Sequence, residues 1–147
     1  MLNLSKECVI LDLAATTKEA VLKELAEALH HQCPGIGVDE ICRVLTEREQ
    51  VGSTGVGNAV AIPHGKVVGL DRIMLCFGRS RQGIAFDVFD NQPVHLFVVI
   101  LSSVGLADEY LKTLARVSRL LKQADKRRLL LRAENRQAIV DVFAAST

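Results

Sequence analysis

Nowhere in this chain of 147 residues does an apolar run approach the roughly 20 that a membrane helix needs. The longest, such as Leu96 to Leu101, fall far short, so a soluble protein without direct membrane insertion is expected. No apolar signal segment opens the chain, and Cys8, Cys33, Cys42 and Cys76 are widely spaced without a C-x-x-C pair. That spacing argues against a zinc ribbon or a redox couple, and reduced thiols in the cytoplasm are the simplest state. Charge of one sign is lacking too: 18 Lys plus Arg stand against 17 Asp plus Glu, a net +1 that offers no electrostatic footprint for nucleic acid. Any partner would be met through a local patch.

Three catalytic signatures are also missing. Gly52 and Gly57 have the spacing of a Walker loop, but Asn58-Ala59 stand where the phosphate lysine and the magnesium-binding hydroxyl belong. The glycines at 52, 55 and 57 do not form the dinucleotide fingerprint either. A hydrolase built on Ser53 and His64 would lack both the nucleophile elbow and an identifiable orienting acid.

What is present is a concentration of unusual residues from Arg48 to Lys66, REQVGSTGVGNAVAIPHGK. It holds Gly52, Gly55, Gly57 and Gly65, the hydroxyls of Ser53 and Thr54, Asn58, two cations and His64. A glycine-rich loop followed by a strand Ala59 to Ile62 and by Pro63-His64-Gly65 would set a histidine at a strand's end, facing backbone N–H groups able to bind an anion. Spacing alone leaves the plainer alternative open, in which the loop is a turn and His64 a surface residue. Arg48 is similarly two-sided. It can complement the negative end of a helix, or reach across the loop to a phosphoryl group that suits guanidinium geometry.

The remainder reads as one domain, residues 1–147, able to bury about two thirds of the surface its unfolded chain exposes. Cys8 to Leu13 is a short apolar strand candidate. Thr16-Thr17-Lys18-Glu19 has capping-box spacing ahead of a helix that ends before Cys33-Pro34-Gly35, with His30 and His31 as solvated last-turn residues. A second helix spans about Val38 to Glu49. Strands follow at Ile73 to Arg79 and, after a turn near Gln82-Gly83, at Ile84 to Phe89; the turn at 90–93 leads into Val94 to Leu101, apolar enough to be buried on both faces. Turn chemistry accounts for Asp87 and Asp90, and His95 is read as structural.

Leu106, Tyr110, Leu114, Val117 and Leu121 form one stripe of a third helix. Asp125 and Asn135 look like N-caps of two shorter helices, and Lys126, Arg127, Arg128 and Arg132 like a solvated face. The pattern predicts an α/β layered domain, with a mixed sheet of about five strands flanked by helices on both faces.

GSTGVGNAVAIPHGK resembles the phosphorylation-site segment of the IIA domains of the sugar phosphotransferase system, in the fructose/mannitol class that includes the stand-alone nitrogen-regulatory enzyme IIA. The likeness continues through Ile84 to Val94 and the helix around Leu111 to Leu121. It implies a phosphoryl carrier in which His64 accepts phosphate from an HPr-type donor, without metal or cofactor. Arg48 and the N–H groups of Ser53 to Gly57, Thr54 and Gly55 among them, would hold the phosphoryl oxygens, with Asn58 supporting the loop or bonding to the site. Where the family commonly places a second histidine, this chain has Tyr110, either beside His64 or within the core stripe. A phenol with a pKa of about 10 donates a hydrogen bond but cannot share charge as an imidazolium does. That departure favours a regulator acting on target proteins over a sugar-uptake component serving a IIB domain.

Overall fold

The computed structural model describes residues 2–86 and 91–146, so the expectations placed on Asp87 and Asp90 lie outside the described residues. Among the described residues six strands are built: β1 (Val9–Ile10), β2 (Gly55–Gly57), β3 (Val60–Ala61), β4 (His64–Lys66), β5 (Met74–Ala85) and β6 (Pro93–Ser102). They join in one sheet in the order β1-β5-β6-β3-β2, with β4 also on β6. The sheet is mixed, because β1 runs parallel to β5, and β3 and β4 parallel to β6, while β5/β6 and β2/β3 are antiparallel. Among the described residues, five helices cover it: α1 (Lys18–Gln32), α2 (Val38–Val51), α3 (Ala107–Lys122), α4 (Ala124–Arg132) and α5 (Arg136–Ala144).

β6 is the spine. Successive strand residues point to opposite faces, and every residue from Leu96 to Ser102 is buried, so both faces of the sheet are covered. Burying such side chains contributes about 2 kcal/mol each, which makes this strand the largest local source of stability. β5 lies along one edge of β6, and β3 and β4 share the other.

Several local expectations are corrected. Helix α1 is capped by Thr17 rather than Thr16: its hydroxyl accepts the Ala20 N–H at 3.2 Å, and no glutamate stands at the box position counted from Thr17. Instead of two strands separated by a turn at Gln82-Gly83, β5 runs unbroken to Ala85, and its register with β6 shifts between Arg79 and Ile84. Gly83 absorbs that bulge at φ 84°, where a Cβ would sit 2.6 Å from the Pro93 side chain. Asn135 does cap α5, accepting the Ala138 N–H at 2.9 Å, but Asp125 lies inside α4, whose cap position is Gln123. The first strand is Val9–Ile10 alone; Cys8 ends the 3-10 turn Lys6–Cys8 just before it.

Three polar residues serve the fold in ways their positions did not suggest. His30 is half-buried and donates from Nδ1 to the Ile36 carbonyl at 2.7 Å, tying the α1–α2 connection, while His31 is solvated as expected. Arg127, expected on a solvated face, donates to the Leu121 carbonyl at 2.8 Å and closes the end of α3. Arg79 is 1% exposed, and its guanidinium bonds to the Leu11, Leu130 and Ala133 carbonyls, locking α4 onto the sheet.

Candidate functional site

The site begins where α2 ends. Ile41, Leu45 and Glu49 follow one another at four-residue spacing, so the last of them turns inward although it is a glutamate. Its carboxylate accepts both the Thr54 hydroxyl and the Thr54 N–H, the latter at 2.8 Å, and pairs with Lys18 Nζ at 2.8 Å. These bonds hold the turn Gly52 to Thr54 against the helix end. Arg48, one residue earlier, donates from Nη1 to the Gly52 carbonyl at 2.7 Å.

From this turn the chain enters a β2–β3 hairpin in place of the expected open loop. Asn58 and Ala59 both take positive φ, 57° and 62°, the backbone of a type I′ turn between Gly57 and Val60. The turn is fastened from the sheet, since the Ala59 carbonyl accepts the N–H groups of His95 and Leu96 at 2.9 and 3.1 Å. Beyond it, Val60 faces Leu96 and His64 faces Ile100, the same offset of 36 residues, so β3 and β4 are one strand interrupted at Ile62-Pro63. Proline supplies no N–H to a ladder, which accounts for the interruption, yet its carbonyl still accepts from Ile100 at 3.0 Å. Across β4, Gly65 lets α2 approach closely, because a Cβ there would lie 2.9 Å from Val44 Cγ2. His64 therefore points to the opposite face, toward α3.

The imidazole is held at both nitrogens. Nδ1 donates to the Ile62 carbonyl at 3.0 Å and Nε2 accepts from Arg48 Nε at 3.0 Å. A carbonyl cannot donate and a guanidinium cannot accept, so the tautomer is set: the proton is on Nδ1 and the lone pair on Nε2. Burial lowers the His64 pKa; the bond to Ile62 opposes this, Arg48 reinforces it and Glu49 opposes it. Above about pH 6.5 the ring is neutral. Tyr110 stacks obliquely against it, with centroids 5.7 Å apart and an interplanar angle of 42°. Burial raises the phenol's pKa, so at neutral pH it remains a hydrogen-bond donor.

Arg48, His64, Lys66, Tyr110, Val44 and Val51 line an open cavity of about 560 Å³. Arg43 also borders it, but its guanidinium is committed to Glu40 and Glu47 at 2.6 and 2.9 Å. Two sequence-expected residues, Arg48 and Tyr110, are thus gathered around His64. Thr54 and Gly55 stand in the supporting turn with their N–H groups spent, on Glu49 and on the Ser53 hydroxyl at 3.0 Å. Asn58 sits at the hairpin tip and lines a separate cavity of about 140 Å³ with Ser118 and Lys122, apart from the cavity that His64 lines. Glu49 and Lys18 were not anticipated. The signal was a carboxylate continuing the apolar stripe of α2, where solvation cannot satisfy it.

No helix among the described residues is long and apolar enough to cross a membrane, and no group of three His, Cys, Asp or Glu side chains there could hold a metal ion. Residues 2–146 match the model of the family described as phosphoenolpyruvate-dependent sugar phosphotransferase system, EIIA 2. The chain is 38% identical to a nitrogen regulatory protein of Bradyrhizobium diazoefficiens, over 94% of this chain and 90% of that one. With a fructose-specific EIIA component of Haloferax volcanii it shares 33% identity, again over 94% and 90%. In three dimensions it is similar to the nitrogen regulatory protein IIA-Ntr of Neisseria meningitidis, with a TM-score of 0.89 at 26% identity and 95% of each chain covered.

Proposed function

Because the chain belongs to the EIIA 2 family of the phosphoenolpyruvate-dependent sugar phosphotransferase system, we propose that it is a phosphoryl carrier whose acceptor atom is His64 Nε2. The observation that carries this reading is the pair of hydrogen bonds that leave the His64 lone pair on Nε2, facing the cavity and Arg48. In the reaction that lone pair attacks the phosphorus of a donor phosphohistidine on an HPr-type protein. The donor N–P bond breaks, its electron pair returns to the donor imidazole, and the His64 proton stays on Nδ1. Arg48 now occupies the lone pair, so acceptance requires its guanidinium to pass from the nitrogen to the phosphoryl oxygens, for which its donor fork is suited. Lys66, lining the same cavity, supplies a second positive charge. No metal or cofactor enters the scheme.

The phosphorylated and free forms present different charge at one mouth of the molecule, and we assign the chain a regulatory role in which target proteins read that difference. The likeness to nitrogen regulatory proteins supports it, as does Tyr110, which cannot share an imidazolium's charge with a departing phosphoryl group. Similarity to a fructose-specific EIIA component favours a second reading, in which phosphate passes on to a IIB domain. Incubation with phosphoenolpyruvate, enzyme I and each HPr-type donor, followed by mass spectrometry, tests the common step. One acid-labile phosphoryl group at His64 is expected; its absence, or label elsewhere, overturns the proposal. Addition of purified fructose- and mannitol-type IIB domains then separates the readings, since rapid loss of label to either sinks the purely regulatory one.

A further inference from the structure

Glu49 is the buried charge that phosphoryl chemistry at His64 does not use. Its side chain is 3% exposed, against 27% for its partner Lys18. The carboxylate joins three parts of the molecule: α2, on which it lies; the turn, through the Thr54 N–H and hydroxyl; and the start of α1, through Lys18. Lys18 in turn donates to the Phe86 carbonyl at 3.3 Å and sits 4.6 Å from the Phe86 ring centroid. A charged pair at the end of an apolar stripe is a weak source of stability, since well-packed apolar groups serve as well. What this pair does, and Leu and Met could not, is accept two hydrogen bonds from Thr54. That fixes the turn carrying the Gly52 carbonyl, the acceptor for Arg48 Nη1, whose Nε lies on His64 Nε2.

We propose that Glu49 is a positioning residue, which with Lys18 fixes the Gly52–Thr54 turn and so aims the Arg48 guanidinium at the phosphoryl-accepting nitrogen. The role rests on the acceptor reading given above. Glu49 touches neither the imidazole nor the cavity and acts only through Thr54, Gly52 and Arg48. Its loss therefore moves the rate of transfer within the docked complex and leaves donor affinity alone. Displacing a catalytic group by about 1 Å costs up to a hundredfold in rate, so a partial loosening is expected to cost about tenfold.

The test uses the full chain with Lys18→Met combined with Glu49→Leu, which extends the apolar stripe and removes the acceptor, and with Glu49→Gln, which keeps an acceptor oxygen for Thr54. Single-turnover labelling by phosphorylated HPr-type donor is expected to slow about tenfold in the double variant at unchanged half-saturating donor concentration, and to return most of the way in Glu49→Gln. In parallel, the nitrogen-15 signal of Arg48 Nε–H is expected to lose the shift of its bond to His64 in the double variant. A wild-type rate, or an unmoved Arg48 signal, overturns the role. Should the double variant not fold, Thr54→Val decides instead: it removes the hydroxyl half of the anchor, and an unchanged rate with an unchanged Arg48 signal refutes the proposal. If wild type takes no phosphate, the acceptor reading fails, yet the Arg48 signal still decides whether Glu49 aims the guanidinium.

Discussion

Three histidines of this chain are half-buried, and each gives its Nδ1 proton to a backbone carbonyl: His30 to Ile36 at 2.7 Å, His64 to Ile62 at 3.0 Å and His95 to Ser80 at 2.8 Å. All three rings are thus oriented alike, with Nε2 turned away from the carbonyl. They differ in what Nε2 meets. In His95 the far side of the ring lies against Gly83, where even a Cβ would come within 3.0 Å of Nε2. In His64 it meets the Arg48 guanidinium, at the wall of a cavity of about 560 Å³. Orienting an imidazole is an ordinary structural service; a second nitrogen set beside a guanidinium and open space is what sets His64 apart.

The sharpest way to break this comparison is to exchange roles. His64→Ala is expected to abolish phosphoryl labelling, whereas His95→Ala is expected to lower stability by about 1 kcal/mol, the net worth of its bond, with labelling kept. Label in His64→Ala, measured by intact-protein mass spectrometry, would undo the assignment. Next in size, Arg48→Ala should slow labelling about a hundredfold, as the loss of one preorganised donor does elsewhere, while costing at most about 1 kcal/mol of stability. Tyr110→Phe should change phosphohistidine lifetime by no more than about tenfold, the equivalent of one net hydrogen bond; a larger change would give the phenol a chemical role.

The smallest effect is that of pH. His64 has a folded pKa below the unfolded value of about 6.5, so the unfolded chain binds more protons in that interval. The stability contributed by the neutral ring is present above about pH 6.5 and is lost as pH falls through that window. Acceptance should decline on the acid side only, with a midpoint below about 6.5. A nuclear magnetic resonance titration of the His64 ring checks this, and a midpoint above that of a model histidine would contradict the burial argument.

Much of this was readable in residue order. Periodicity located α1 and α2, the apolar run of β6 announced burial on both faces, and the stretch from Arg48 to Lys66 held both His64 and the arginine bonded to it. Local pattern failed where a distant strand decided the outcome. Gln82-Gly83 has turn chemistry, yet β6 keeps pairing beyond it and converts the turn into a bulge at Gly83. Glycines 55 and 57 suggested an open loop of free N–H groups, but pairing with β3 draws them into a hairpin. Glu49 drew no reading beyond its place in the second helix, because nothing in the sequence says that Lys18, thirty-one positions earlier, ends up at its side.

The unbroken register through Pro63 has a consequence for length rather than composition. Because β3 and β4 keep one offset against β6, the chain from Val60 to His64 works as a ruler with an even number of steps. Insert or delete a single residue there and its parity changes, so that the imidazole swaps sides with its glycine neighbour and is driven at Val44, where there is no room for even a methyl group. Substitutions along this segment can be graded in effect. A change of one in its count is all or nothing.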